Sequence, residues 1–144
     1  MKGREKAISC MSEGFNCCQA VLSAYAPDLG LDRETALKVA GAFGGGIAGM
    51  GETCGAVTGA LMAIGLKHGT TDARDQAAQA RIHESAQTFI RQFTNVCGSI
   101  KCRDLLHCDI GTPEGMERAQ SLGLFRTFCP ELVGHSARIL EDLL

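Results

Sequence analysis

Tryptophan is absent from this chain of 144 residues, tyrosine occurs once and proline three times. With six phenylalanines as the only other aromatics, the core must be built mostly from aliphatic and small side chains. Neither charge sign forms a long block, and the formal net charge is −2. A nucleic-acid footprint needs a basic stripe, so polyanionic partners are not expected. The most apolar window, residues 54–66, is thirteen residues long, short of the roughly 20 that cross a bilayer. The opening MKGREKAISCMSEG carries positive charge but lacks the apolar run of a signal peptide. A cytoplasmic protein is the expectation. The length suits one domain, 1–144, since domains commonly run to about 100–150 residues.

Several chemical signatures are missing too. No stretch alternates apolar and polar residues long enough to make a strand, and no heptad or internal repeat occurs. GAFGGGIAGMG lacks the GK[ST] ending of a phosphate loop and no strand precedes it. There are no paired carboxylates, no nucleophile elbow and no CxxC pair, the last being the usual mark of structural zinc.

What is present is helical pattern and cysteine. Helices are expected at about 2–13, 16–29, 32–43, 53–68, 72–97, 102–107, 113–124 and 129–143. Asn16 and Asp32 are good N-caps, and Thr112-Pro113-Glu114 is a cap followed by proline in the first turn. The helix from 72 should carry an inner stripe of Ala73, Ala77, Ala80, Phe89, Ile90, Phe93 and Cys97. The helix after Cys54 is apolar all round, with Gly55, Ala56, Gly59, Ala60 and Ala63 as small residues, and should be central. Glycine inside a helix costs roughly 1 kcal/mol against alanine, so Gly55 and Gly59 imply a close backbone contact. The expected architecture is an all-α bundle of about six to eight helices, with a glycine-rich loop at 44–51 as its main irregular element.

Eight cysteines is a high density. Without a secretory signal, it leans towards metal binding or redox chemistry rather than a disulfide framework. Four of them fall at expected helix starts: Cys17 after Asn16, Cys54 after Thr53 read as the cap, Cys102 opening CRDLL, and Cys129 at a cap position before Pro130. Unpaired amides and the helix dipole stabilise an anion there, which lowers a thiol pKa and equally suits thiolates bound to a metal. Cys10 and Cys97 lie inside amphipathic stripes and read as packing, since cysteine is also a small buried hydrophobe. Cys18 points about 100° away from Cys17 on a helix and reads the same way. Cys108, six residues after Cys102, reads equally as packing or as a further ligand. Of the histidines, only His107 lies near these thiols, and a surface position suits it best.

GFNCCQAVLSAY, GAFGGGIAGMGETCGAVTGALMAIGL, CRDLL and FCPELV together resemble the redox-active protein family named for its C-GCAxxG-C-C cysteine pattern. The likeness covers nearly the whole chain, although the family pattern spells Gly-Cys-Ala where this chain reads Cys54-Gly55-Ala56. It implies that Cys17, Cys54, Cys102 and Cys129 are the characteristic cysteines and that their role is redox. Relatives carrying selenocysteine imply a reactive chalcogen at such a position. Family gene context implies a link to a membrane transporter.

On this reading Cys54 is the attacking thiolate, Cys17 its resolving partner, and Cys102 with Cys129 a second pair. The electron partner would be a redox protein or a small thiol or oxidant, with no cofactor required. The alternative is a binding module in which the same four thiolates, with Cys108 as a further ligand, hold an iron–sulfur cluster or zinc. Gly44, Gly45, Gly46, Gly51 and Gly55 would then wrap the inorganic core. Small and apolar helix faces would also suit a homodimer.

Overall fold

The computed structural model describes residues 2–144, and among them nine α-helices and two short 3-10 segments follow one another with no strand. The α-helices are α1 (Gly3–Ser12), α2 (Cys17–Tyr25), α3 (Arg33–Val39), α4 (Gly55–His68), α5 (Gln76–Cys97), α6 (Cys102–Leu106), α7 (Pro113–Ser121), α8 (Leu124–Thr127) and α9 (Cys129–Glu141). The all-α expectation holds. No helix of the described residues is long and apolar enough to cross a membrane.

Local chemistry sets most of the starts. The Gln19 N–H donates to Asn16 Oδ1 at 2.8 Å while the Asn16 N–H donates to Gln19 Oε1 at 2.9 Å, a reciprocal cap on α2. Asp32 Oδ2 accepts from the Thr35 N–H at 3.0 Å to open α3. Thr112 Oγ1 accepts from the Gly115 N–H at 3.0 Å, with Pro113 next, to open α7.

The long helix departs from expectation. Asp72 is spent on a turn, accepting from the Arg74 N–H at 2.9 Å, and Asp75 caps α5 instead by accepting from the Ala78 N–H at 3.1 Å. Ala73 therefore lies before the helix, and Ala77 and Ala80 are exposed. Only Phe89 and Phe93 of the expected stripe are fully buried, stacked with ring centroids 5.8 Å apart. The segment 16–29 breaks at Tyr25, continuing as a 3-10 turn over Pro27–Leu29, and α8 is a short helix that the pattern did not announce.

The centre is shared between two helices. α2 packs against α1, α3, α4 and α9, while α4 packs against α2, α5 and α9. Val21 and Leu22 of α2 meet Val57 and Ile64 of α4 and Val133 and Leu140 of α9 in one core cluster. Leu66, at the end of α4, is 38% exposed and not part of it. The small face of α4 fits against the α2 backbone: a Cβ on Gly59 would sit 2.7 Å from the Cys18 carbonyl oxygen. Buried Ser136 Oγ donates to the Ala56 carbonyl at 2.7 Å and ties α9 to the first turn of α4. These contacts fix the first turns of α2, α4 and α9 near one another.

Candidate functional site

Cys17, Cys54, Cys102 and Cys129 line a single cavity of about 280 Å³, together with Gly45, Gly46, Gly55 and a ring of apolar side chains. The four residues come from the starts of α2, α4, α6 and α9. Two registers differ by one from expectation. Cys54 is itself the N-cap of α4, with Gly55 as the first helical residue. Cys129 is the first residue of α9, and its N-cap is Phe128.

The Cys54 shift has a cause in tertiary structure. Thr53 pairs with Lys101 in an isolated antiparallel bridge. The Cys54 N–H donates to the Ile100 carbonyl at 2.7 Å and the Cys102 N–H donates to the Glu52 carbonyl at 2.6 Å. Outside this pair, the Arg103 N–H donates to the Gly51 carbonyl at 3.1 Å, and Arg103 Nη1 lies 3.2 Å from Glu52 Oε1. The backbone at Thr53 is thus extended and paired, so the helix can begin only after it. The same pairing staples the start of α4 to the start of α6, across 48 residues of sequence.

Glycine does the rest by letting backbone approach cysteine. A Cβ on Gly55 would lie 2.7 Å from the Cys18 nitrogen and 3.1 Å from Cys17 Cβ, so α4 meets α2 directly at the thiols. A Cβ on Gly46 would lie 2.6 Å from Cys102 Cβ. Gly44 is pressed instead against the Asn16 side chain, and Gly51 faces Asp109; neither lines the cavity.

The loop 44–51 is not a slack connection. Gly45, Gly46, Ile47, Ala48 and Gly49 all have positive φ, between 52° and 75°. Its turns are closed by backbone bonds such as Ala48 N–H to Ala42 O at 2.8 Å and Glu52 N–H to Gly46 O at 2.8 Å. An L-residue with a Cβ resists this hand by roughly 1–2 kcal/mol, and a β-branched one most of all. Ile47→Gly should therefore stabilise the protein by about 1 kcal/mol after the unfolded-state entropy of glycine is subtracted. Urea unfolding in a reducing buffer checks this; a lower midpoint would mean that Ile47, which is 39% exposed, contributes more by packing than it costs in backbone strain.

The thiols are not electrically equivalent. Cys17 lines the cavity with Cys54 and Cys129 and packs against the core clusters that hold them. The Cys17 thiol holds the Cys54 pKa below the usual thiol range, and the Ala56 and Val57 amides at the start of α4 help against the opposing effect of burial. Cys17 itself is pushed well up, first by its contacts with Cys129 and Cys54 and then by burial. Burial, with the charge of Cys54 behind it, pushes Cys102 up to about 12. Cys18 and Cys97 are pushed up to about 11 for the same two reasons. The arrangement favours the anion on Cys54 over one on Cys17, Cys18, Cys97 or Cys102.

The other cysteines lie elsewhere. Cys10 is buried with its sulfur 3.5 Å from Ser23 Oγ and 3.9 Å from Arg33 Nη2. Cys18 contacts the Met62 sulfur at 3.9 Å, and Cys97 packs half-buried at the end of α5. Cys108 donates to the Leu106 carbonyl at 3.4 Å and is not among the cavity residues. His107 is exposed in a left-handed turn outside the cavity. All eight cysteines are free thiols. Although four of them face one space, no group of three or more His, Cys, Asp or Glu side chains among the described residues is assembled so as to hold a metal ion. The thiols as placed do not fit a ready ligand set, and no chemistry is routed here through a metal.

The bridge between Thr53 and Lys101 and the left-handed loop are the two parts of the site that sequence patterning missed. A single-pair bridge has no alternation to detect, and two of the six left-handed residues of the loop are not glycine. Comparison with known proteins returned one family. A family model described as "Putative redox-active protein (C_GCAxxG_C_C)" matches residues 15–143. The chain belongs to that family. No curated protein and no solved structure matches it.

Proposed function

We propose that this member of the redox-active family works by thiol–disulfide exchange, with Cys54 as the attacking thiolate and Cys17 as its resolving thiol. One observation carries the reading: Cys54, with its pKa lowered, and Cys17, with its pKa raised, line one cavity where Gly55 brings α4 directly against Cys17. The thiolate is the nucleophile, and a neutral thiol beside it both stabilises the charge and stands ready to attack next.

The exchange balances as follows. The Cys54 thiolate attacks one sulfur of a disulfide acceptor, forming a mixed disulfide and expelling the other sulfur as a thiolate, which takes up a proton. Cys17 then loses its proton and attacks the Cys54 sulfur, releasing the second half as a thiol. The acceptor gains two electrons and the protein holds a Cys17–Cys54 disulfide. Cys102 and Cys129 on the same cavity are the second pair, able to take the disulfide on by exchange, and Cys17 packs against the cluster that holds them. An external thiol returns the protein to its reduced form.

The runner-up from the cysteine pattern, a bound iron–sulfur cluster or zinc, is not favoured by the thiols as placed. One experiment separates the two. The protein is purified without oxygen, its metal content and visible spectrum are measured, and it is then oxidised with one equivalent of diamide, alkylated and mapped by mass spectrometry. The exchange reading expects no bound metal, a loss of about two thiols per chain, and a Cys17–Cys54 crosslinked peptide. Bound iron or zinc, or a Cys54 that remains alkylatable after oxidation, would overturn it.

A further inference from the structure

The thiols occupy one side of the cavity. Around them the wall is apolar, made by Met11, Phe15, Leu105, Leu106, Phe125 and Leu132. Asn16, also on the wall, has its carboxamide committed to the Gln19 N–H and the Gly41 carbonyl. Only one lining residue carries a formal charge at neutral pH apart from the thiols, and it is Arg126 of α8. Arg126 is exposed and takes part in none of the salt bridges among the described residues.

These features constrain what enters. Cys54 is 4% exposed, so a disulfide on a folded partner cannot reach it from outside, whereas a molecule inside the cavity can. At about 280 Å³ the space lies at the small end of ligand pockets. A nucleotide or flavin is too large for it. Apolar walls desolvate an apolar body, and a planar guanidinium at the mouth matches a carboxylate in two parallel hydrogen bonds.

We propose that the cavity binds a small apolar molecule ending in a carboxylate, its body against Phe15, Leu106 and Phe125 and its acid group at Arg126. The purpose of such binding, presentation of a small redox substrate to Cys54, rests on the thiol-exchange reading; the binding itself does not.

Octanoate is the probe, with 1-octanol as its uncharged counterpart. Binding of each to the reduced full-length protein is measured by calorimetry, and protection of Cys54 from iodoacetamide by peptide mapping. Octanoate is expected to bind more tightly than 1-octanol and to slow Cys54 labelling. Arg126→Ala should weaken octanoate about fivefold, the loss of one ion pair worth about 1 kcal/mol at an exposed mouth. Arg126→Lys should restore part of that loss, because a charge remains without the fork. Absence of octanoate binding, or equal octanoate affinity in Arg126→Ala, would overturn the proposal. Slow Cys54 labelling without any ligand would instead strike the thiol reading, and calorimetry would still decide the pocket.

Discussion

Cys54→Ser removes the fast phase of iodoacetamide labelling at neutral pH, leaving a residual rate lower by about tenfold or more. The expectation follows from the order in which the thiols ionise. Cys54 is the thiol shifted down, because the Cys17 thiol and the first amides of α4 favour its anion. Burial and the Cys54 charge push Cys18 and Cys97 up to about 11 and Cys102 to about 12. The labelling rate of an individual thiol follows its thiolate fraction. Cys54 should therefore label near its plateau rate below the pH at which an ordinary thiol ionises, while Cys18, Cys97 and Cys102 gain rate only as the pH climbs towards 11 and 12. Replacing Cys17 by alanine removes the largest contribution to the Cys54 shift, so the Cys54 profile moves to higher pH. Residue-resolved labelling across pH, read by mass spectrometry, checks all three statements. A Cys54 rate equal to that of a free model thiol at pH 7 would sink the assignment of Cys54 as nucleophile.

Gly55→Ala should destabilise the protein by about 1–3 kcal/mol, the usual cost of forcing a methyl group into a packed contact. Its Cβ would meet the Cys18 nitrogen at 2.7 Å, an atom of helix backbone that cannot swing aside. The two helices must part where Gly55 lies against Cys17 and Cys18, so the same variant should also return the Cys54 pKa towards an ordinary thiol. Gly65→Ala, in the same helix, is the control. Nothing lies within 4 Å of the position its Cβ would take, and alanine is the better helix former by roughly 1 kcal/mol. It should raise stability and leave the Cys54 profile alone. Urea midpoints for the two variants ought to move in opposite directions; a Gly55→Ala midpoint at or above the wild type would show that α4 does not need this contact.

These two expectations rest on features that were unequally legible. Helix starts at Asn16, Asp32 and Thr112 could be read directly, because a cap is a contact between residues three apart. Gly59 could be read as a packing glycine for a similar reason: its cost inside a helix demands a close neighbour. The neighbour itself, the Cys18 carbonyl, could not be read. The start of α4 was misplaced by one residue because Thr53, a good cap by residue type, is engaged with Lys101. The start of α5 was misplaced because two aspartates compete, and the nearer one to the helix wins.

The sequence by itself determined an all-helical chain, the helix starts at Asn16, Asp32 and Thr112, and the placement of four cysteines at or beside helix starts, since all of these follow from interactions within a turn or two of backbone. It also carried the family pattern. Only the tertiary structure decided that the four starts meet on one cavity, that exposed Arg126 lines it, and that the Cys54 pKa is lowered while that of Cys17 is raised. The four cysteines are separated by 37, 48 and 27 residues. Nothing local can close such distances; here they are closed by the bridge at Thr53, by helix backbones brought together at Gly55, and by the loop that turns left-handed before Cys54.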